Sequence, residues 1–365
     1  MEDSWDDSDL TKRFREFART TSNRAPLYGA LSSGIATDVD LGRLLGHAPV
    51  QQQLPVLMFA CVHFLLLDEP DSELAQWYPN VTADHRPADD PALMPTFTRF
   101  VQDHGPELVE LLATQTTQTN EVGRCGFFLP ALALIERETG QLGHLDVGAS
   151  GGLNLLLDQY EYHYGDKATD GTEPSTQVVG GPSDVVLPVT TRGPVPVPST
   201  MPAIGPRLGV DRDPIDVTDP LAARWLEACV WPDQADRFHR LRAAIGLATT
   251  SPPAVRRGDA VGSLDRSIAE VGADAHPVVT NSWVLNYLTP SDRLDYVAEL
   301  DRIGAARDLS WVFAEAPELV PELPITVGDL RGDVTALTIA RWRHGVRTVE
   351  TVATCHPHGY WVNWF

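Results

Sequence analysis

The chain has 365 residues, 43% of them hydrophobic and 21% charged, which is the composition of a globular protein with two or three domains. Its 50 acidic and 28 basic residues give a formal net charge of −22, and a field of that sign repels phosphate backbones, so we predict no nucleic-acid partner. No segment reaches the roughly 18 apolar residues of a membrane span, and the acidic N-terminus is unlike a secretory signal, so we predict a cytoplasmic protein without membrane contact.

Residues 1–140 are predicted to form a helical N-terminal domain. Apolar residues recur at three- and four-residue spacing from Leu10 to Phe17 and from Leu27 to Ile35, which indicates amphipathic helices. Gly140 stands where a glycine commonly ends a helix. The other predicted helices cover Leu54–Leu67, Thr96–Phe100 continuing into Glu107–Ala113, and Phe127–Glu138.

Residues 141–365 change to alternating strands and helices. The stretch from Leu142 to Tyr160 predicts a short apolar strand, a glycine-rich turn and a helix. Seven prolines between Pro182 and Pro206 exclude a helix or a central strand, so residues 182–206 are predicted to form an extended insertion. After it we predict strands at Arg207–Val210, Ala254–Arg257, Pro277–Thr280 and Leu309–Ala314, and helices through Trp225–Ala248, Val261–Val271 and Ser291–Ile303.

The last two segments, Val334–Arg343 and Arg347–Cys355, are separated by His344-Gly345-Val346 and predict an antiparallel pair. A series of strand–helix units that ends in such a pair is typical of the α/β class. We therefore expect a Rossmann-like, doubly wound, mostly parallel sheet with an antiparallel C-terminal edge, preceded by the helical domain.

A glycine-rich turn follows the first predicted strand, and such a turn lets a ligand approach the backbone. The dinucleotide fingerprint does not fit, because Ser150 and Leu153 occupy its second and third glycine positions, and no lysine follows as in a phosphate-binding P-loop. The looser glycine turn of S-adenosylmethionine methyltransferases does fit. The predicted cofactor-binding residues of this segment are Asp146, Gly148, Ser150 and Gly152.

Polar residues also follow the later predicted strands. Asp211 is placed to accept hydrogen bonds from ribose hydroxyls, and Asp259 from an adenine amino group. Asn281 is predicted to contact the cofactor and Trp283 the substrate, at the strand end where the methyl group would lie. The alternative for Asp211 and Asp259 is a helix cap, and for Asn281 a stabilised turn.

The segment Gln118-Thr119-Asn120-Glu121-Val122-Gly123-Arg124 is the densest polar cluster outside the glycine turn. We expect Asn120 and Arg124 to contact a substrate and Glu121 to act as a general base. The alternative is structural, with a cap at the following helix and a surface pair between Glu121 and Arg124.

Two aromatic or histidine-rich segments are further candidates. Tyr160, Tyr162 and Tyr164 share one face of an extended segment, where Tyr160 would contact a substrate or all three would pack in a hairpin. His356 is a candidate base and His358 a substrate contact. We predict no metal site, because the four cysteines are far apart and no second ligand cluster accompanies these histidines.

Two other functional classes compete with a methyltransferase. Gly148-Ala149-Ser150-Gly151-Gly152 also fits the G-x-S-x-G elbow of an α/β-hydrolase, with Ser150 as nucleophile, Asp259 or Glu315 as acid, and His356 or His358 as base. The long helical region before the turn argues against a hydrolase. The third class is a non-catalytic protein that retains the fold.

The composition also suggests a salt-rich environment. Only two of the 28 basic residues are lysines, Lys12 and Lys167, and acidic residues are spread along the chain. High salt screens the resulting self-repulsion, so we predict a halophilic protein. An acidic protein from a GC-rich genome is the alternative.

Several landmarks of the chain are distinctive: Ala25-Pro26-Leu27-Tyr28, Gln118–Cys125, Asp146–Tyr160, Trp225–Trp231 and His356-Pro357-His358-Gly359. Through them the chain resembles, over nearly its full length, a family of uncharacterised prokaryotic proteins known as a domain of unknown function. That resemblance implies no particular activity. Residues 141–365 are in addition similar in general to class I methyltransferases, which implies S-adenosylmethionine as cofactor and a small molecule as substrate.

Overall fold

The computed structural model describes residues 7–166, 176–325, 327 and 334–365. They form two compact units, one from residues up to Thr119 with Asp219–Arg242, the other from Asn120–Thr218 with Ala243–Phe365. The predicted domain boundary at residue 140 does not coincide with the boundary between these units. Residues 120–140 group with the second unit, and residues 219–242 with the first.

Most helices agree with the predicted pattern, but Leu93–Asp103 and Gly105–Thr114 are separate helices where a continuous run was predicted, and the helix predicted after the glycine turn is a 3-10 helix. The predicted helix through Trp225–Ala248 is wrong, because Pro232 lies between two separate helices and lacks the N–H that a continuous helix needs. Among the described residues the α-helices are α1 (Asp7–Thr21), α2 (Pro26–Ile35), α3 (Pro55–Asp68), α4 (Leu93–Asp103), α5 (Gly105–Thr114), α6 (Cys125–Thr139), α7 (Pro220–Ala228), α8 (Ala235–Thr250), α9 (Leu264–Val271) and α10 (Pro290–Ala306).

The strands of the second unit form one sheet of the order β3-β2-β4-β11-β10-β9-β8-β7-β1-β5-β6. Their bounds are β1 (Leu142–Val147), β2 (Glu161–Gly165), β3 (Thr176–Val179), β4 (Val186–Arg192), β5 (Ile204–Asp211), β6 (Val255–Arg257), β7 (His276–Ser282), β8 (Leu309–Glu315), β9 (Thr335–Arg343), β10 (Val346–Cys355) and β11 (Trp361–Trp364). Neighbouring strands are parallel from β6 to β8 and around β4, and antiparallel at β2–β3 and from β8 to β11. The protein is thus an α/β protein with a mixed, largely parallel sheet and a helical N-terminal region.

The antiparallel pair β9–β10 forms as predicted, but it does not lie at an edge of the sheet. The tyrosine-rich and proline-rich segments supply β2, β3 and β4, which extend the sheet beyond β11. The prediction that residues 182–206 hold no interior strand is therefore wrong for β4. Pro188 is tolerated there because β11 pairs with β4 only from Thr190 onward, so the missing N–H of Pro188 is needed on one side at most.

Each unit has its own apolar core. The first is centred on α2 and α3, with Tyr28, Phe59 and Trp77 fully buried. In the second, α9 packs on β1, β5 and β7, and α10 packs on β9 and β10. No helix in the described part of the chain is both long and apolar enough to cross a membrane.

Candidate functional site

The carboxyl ends of four neighbouring parallel strands, β5, β1, β7 and β8, lie side by side. Their registers pair Val147 with Val210 and Asp146 with Thr280, so the segments that follow these strands emerge at one edge of the sheet. All candidate residues discussed below belong to the second unit.

The turn after β1 has left-handed backbone at alternate residues. Gly148, Ser150 and Gly152 have φ angles of +74°, +52° and +74°. Glycine adopts this conformation freely, whereas Ser150 is held in it at a cost of about 1–2 kcal/mol. A Cβ atom on Gly148 would also overlap a methyl group of Val284, from the loop after β7. Close packing of the protein's own loops therefore explains why position 148 requires glycine.

The amide groups of the turn bind within the protein. Gly148 and Ala149 donate to the Val210 carbonyl, and Leu153 donates to Oδ1 of Asn120 at 3.1 Å. The predicted helix after the turn is a 3-10 helix of seven residues, Leu153–Gln159. The predicted α-helix after the turn is therefore wrong.

Asp211, at the end of β5, lies beside the turn as predicted. Its Oδ2 accepts the Ser150 N–H and its Oδ1 the Asp213 N–H, both at 2.8 Å. A carboxylate oxygen accepts more than one hydrogen bond, so these contacts leave capacity for a ligand hydroxyl. Asp259 is exposed, and its Oδ1 accepts from the N–H groups of Val261 and Gly262 just before α9. That geometry favours the turn-capping alternative for Asp259.

Asp146 and Asn281 both face the interior. Asp146 accepts a 2.8 Å hydrogen bond from the Thr280 hydroxyl, which in turn accepts from Nε2 of His144, and burial raises the pKa of Asp146 to about 7. The Asn281 amide donates to Oε1 of Glu315 at 2.7 Å and accepts from the Trp311 indole. These contacts make Asn281 a support for Glu315, and disfavour it as a cofactor ligand.

Glu315, at the end of β8, is the buried acid that the methyltransferase interpretation of the sequence missed. Its side chain is 2% exposed, and burial raises its pKa to about 7. Oε1 accepts from Asn281, from the Val284 N–H at 2.8 Å and from Leu285, whereas Oε2 has no hydrogen-bond partner among the described residues. The sequence feature that could have identified Glu315 is its position as an acidic residue at the end of an otherwise apolar strand.

Glu315 thereby anchors the loop after β7, which contains Trp283. The Trp283 backbone is left-handed, with φ +60°, and its side chain is 37% exposed. The third non-glycine residue with positive φ, His344, is explained by the tight hairpin turn that it forms with Gly345. No such turn explains Trp283 or Ser150, and strained backbone of this kind concentrates at functional sites.

Residues 120–124 are buried, which excludes the alternative of a surface pair between Glu121 and Arg124. Arg124 donates from Nε to the Pro357 carbonyl at 3.0 Å and from a terminal nitrogen to the carbonyl and hydroxyl of Ser282. Oε1 of Glu121 accepts from the Gly123 N–H at 3.0 Å, and its Oε2 lies 3.3 Å from Nδ1 of His358. The segment thus joins the loop after β7 to the turn between β10 and β11.

That turn, His356-Pro357-His358-Gly359, packs backbone to backbone on Gly123. A Cβ atom on Gly359, whose φ is +74°, would overlap the Gly123 carbonyl oxygen. The His358 N–H donates to Nδ1 of His356 at 3.0 Å, so neutral His356 carries its proton on Nε2. This contact uses the lone pair of neutral His356 and argues against the predicted role of His356 as base.

The three tyrosines are packed in the interior. The hydroxyls of Tyr160, Tyr162 and Tyr164 donate to the carbonyls of Leu153, Leu157 and Gly126 at 2.6, 2.6 and 2.8 Å. All three side chains are at most 2% exposed. The packing alternative holds, and Tyr160 supports the glycine turn from inside.

Comparison with known protein families identifies the family of the chain. The model of a family described as an uncharacterized protein conserved in bacteria, DUF2332, matches residues 11–364. The chain belongs to this family. No match to it was found among curated proteins or among solved structures. The DUF2332 match covers both the glycine turn and residues 120–124, so the contacts between these segments lie within the family's own extent.

Proposed function

We propose that this DUF2332 protein is a class I methyltransferase-like enzyme that binds S-adenosylmethionine and methylates a small molecule. The strand order β6-β5-β1-β7-β8 follows the 3-2-1-4-5 order of doubly wound sheets. Ligands of such sheets bind where the order reverses, here outside the carboxyl ends of β1 and β7. The antiparallel strands β9 and β10 follow β8 without altering this arrangement.

The observation that carries the proposal is the charge of the residues at this edge. Glu121, Asp146, Asp211 and Glu315 bring four carboxyl groups there, and Arg124 brings one guanidinium. The amides of Gly148, Ala149 and Ser150 donate to protein atoms. Such surroundings disfavour phosphorylated ligands and favour a nucleoside that carries a positive sulfonium group.

The acidic residues at this edge of the sheet are compatible with the sulfonium nucleoside S-adenosylmethionine. Asp211 would hold ribose hydroxyls through its remaining acceptor capacity, beside Gly148 and Ser150. The cofactor supplies an electrophilic methyl group, and the rate depends mainly on aligning it with an acceptor. Asn120, Arg124 and the partly exposed Trp283 would position that acceptor.

Calorimetry tests the binding step. We expect wild-type protein to bind S-adenosylmethionine and S-adenosylhomocysteine, and to bind neither ATP nor NAD. Asp211→Asn should weaken adenosyl binding by roughly 1.5–3 kcal/mol, the scale of a hydrogen bond to a charged group. Asp259→Asn is the matched control and should leave affinity unchanged, because Asp259 is exposed and caps a turn. Absence of adenosyl binding by wild type would contradict the proposal.

One observation favours a serine hydrolase as the second candidate. Ser150 is the central residue of a G-x-S-x-G turn and has a left-handed backbone, as the nucleophile of such an elbow does. A serine-directed fluorophosphonate separates the two candidates, and we expect it to leave the protein unlabelled. Labelling that Ser150→Ala abolishes, without adenosyl binding, would establish the hydrolase. If neither signal appears, the non-catalytic alternative becomes the leading one.

A further inference from the structure

We propose that the indole ring of Trp283 is a stacking surface for the methyl acceptor, which is therefore a neutral planar aromatic compound, and that Glu315 is the positioning residue of this ring. The identification of the compound as a methyl acceptor rests on the proposed function. The stacking surface itself rests on the geometry of residues 281–288 and of the end of β8.

The Trp283 ring lacks the contacts that fix other tryptophans of the chain. Trp283 is 37% exposed, and no other tryptophan in the described part of the chain is as exposed. Within that part, its indole N–H forms no hydrogen bond, and its ring contacts neither another aromatic ring nor a cation. By contrast, the indole N–H groups of Trp225, Trp311 and Trp342 all donate to protein oxygens. The described chain thus supplies no such partner for this ring, and a ligand can.

The backbone at Trp283 is costly for a residue of this size. Its φ of +60° is left-handed, a conformation that glycine adopts freely and asparagine tolerates, whereas a bulky side chain is an outlier there. A loop that only had to turn would be more stable with glycine at this position. The indole therefore has a use that outweighs its backbone strain, and binding is the common use of such strain.

Glu315 and Arg293 hold the backbone that follows Trp283. Oε1 of Glu315 accepts from the Val284 N–H at 2.8 Å and from the Leu285 N–H at 3.4 Å. Nε of Arg293, in the first turn of α10, donates to the Leu285 carbonyl at 2.8 Å. The ring is thus presented from a backbone fixed before any ligand arrives, which lowers the entropy that binding would cost.

The same loop lies against the glycine turn. A Cβ atom on Gly148 would overlap a methyl group of Val284, the residue next to Trp283 in the chain. Both segments follow strands β1 and β7, at the edge where the strand order reverses. A compound stacked on the Trp283 ring would therefore lie next to the turn to which we assign the cofactor.

The chemistry of the ring and of its surroundings limits the acceptor. The face of an indole binds planar rings by stacking and cations by a cation–π interaction. A protonated ammonium group has no lone pair to align with the methyl group, and the carboxyl groups of Asp146 and Glu315 disfavour an anion. A neutral planar ring with an oxygen or nitrogen lone pair meets both conditions.

Nitrogen-15 NMR of the indole groups tests the stacking surface with a matched pair of probes. Phenol and cyclohexanol are similar in size and neutral at pH 7, and only phenol is aromatic. With the Trp283 signal assigned from Trp283→Phe, we expect phenol to shift this signal to saturation and cyclohexanol to leave it in place. The Trp361 signal, assigned in the same way, is the internal control and should not move, because that ring already lies under Arg192.

Variants test whether the indole ring carries the affinity. Phenol binding is then followed on the ligand, by a saturation-transfer titration. Trp283→Leu should weaken it by roughly two- to tenfold, the scale of an aromatic pair, whereas Trp283→Phe should stay within about twofold of wild type. Tyr287→Leu is the matched control, because it removes a more exposed aromatic ring of the same loop, and it should bind phenol as wild type does.

The role of Glu315 is tested in wild type and in two variants. In wild type, the heteronuclear NOE of the Trp283 indole should equal that of the buried Trp342, because the loop is held. Glu315→Ala frees the Val284 N–H and should shift the Trp283 signal and weaken phenol binding, with the Trp342 signal showing that the second unit is folded. Glu315→Gln retains a carbonyl for that N–H and should restore both.

The opposite results are equally specific. A Trp283 response to cyclohexanol that equals the response to phenol, no response to phenol, or phenol binding that Trp283→Leu leaves intact overturns the stacking surface. A low NOE of the Trp283 indole in wild type, or a signal that Glu315→Ala leaves in place, overturns the role of Glu315. All of these measurements are made without an adenosyl ligand, so failure of the proposed function is separately visible by calorimetry.

Discussion

At the scale of single residues, burial changes what the acids of the site can do. Asp146 on β1 and Glu315 on β8 lie on either side of β7, and desolvation raises the pKa of each to about 7. Exposed carboxyls such as Asp259 instead serve as caps for backbone N–H groups. The same residue type therefore has two roles here, and the depth of the side chain decides between them.

Glu315→Gln should reveal the protonation of the buried acid. Between about pH 4.5 and 7 the folded protein retains a proton on Glu315 that the unfolded chain has lost, so its contribution to the free energy of unfolding falls as the pH rises through that window. The variant has no such proton. Relative to the variant, wild type should lose up to about 3 kcal/mol between about pH 5 and pH 8.5, measured by urea unfolding.

The matched control is Glu318→Gln, which changes an exposed acid three residues farther along the chain. Its difference from wild type should be the same at both pH values. A Glu315→Gln difference that is equally flat would show that the acid is ionised in the folded protein throughout this range.

At the scale of elements, the contact between residues 120–124 and the β10–β11 turn depends on a missing side chain. Gly359→Ala adds a methyl group against the Gly123 carbonyl, whereas Gly345→Ala, at nearly the same φ, meets its nearest backbone atom at an ordinary 3.5 Å. Both variants bear the left-handed strain of about 1–2 kcal/mol. Gly359→Ala should lose about 1–3 kcal/mol more in urea unfolding, as overpacking does. Equal losses would mean that this contact opens at little cost.

The elements that sequence analysis predicted are those with a local pattern. The central strands β1, β5, β7 and β8 are short apolar runs between helices of regular periodicity, and the structure contains all of them. By contrast, β4 was missed because Pro188 disfavours a strand unless one of its sides is unpaired, which only the register with β11 shows. The four-residue β11 has too few residues for alternation to be visible.

Part of the candidate site was likewise predictable from the sequence, and part was not. Asp211 and Ser150 were predicted to lie together because strand ends in a parallel sheet share an edge. The contacts of residues 120–124 were not predictable, because Arg124 reaches Pro357 across 233 positions of the chain. Burial was also invisible in the sequence: Glu121 and Arg124 have the spacing of a surface ion pair, but each binds a distant loop.

At the scale of the whole molecule, net charge governs the response to salt. A charge of −22 produces repulsion that acts over about 30 Å at 0.01 M salt and about 3 Å at 1 M. Exposed pairs such as Arg19 with Glu16 weaken under the same screening, but each contributes about 0–1 kcal/mol at most. We expect the melting temperature to rise steadily from low to molar potassium chloride. A flat or falling melting temperature would remove the halophilic interpretation.

The first unit is assembled from two separate stretches of chain, and this has a consequence for synthesis on the ribosome. Trp225 of α7 lies in that unit's core, packs on Phe64, and donates its indole N–H to the Thr116 carbonyl. A nascent chain of 140 residues lacks this tryptophan and exposes the apolar surface that it covers. The core of the first unit therefore remains incomplete while the first strands of the sheet are synthesised. It is completed only after α7 has left the exit tunnel. Molecular chaperones that bind exposed apolar helices would meet this protein during that interval.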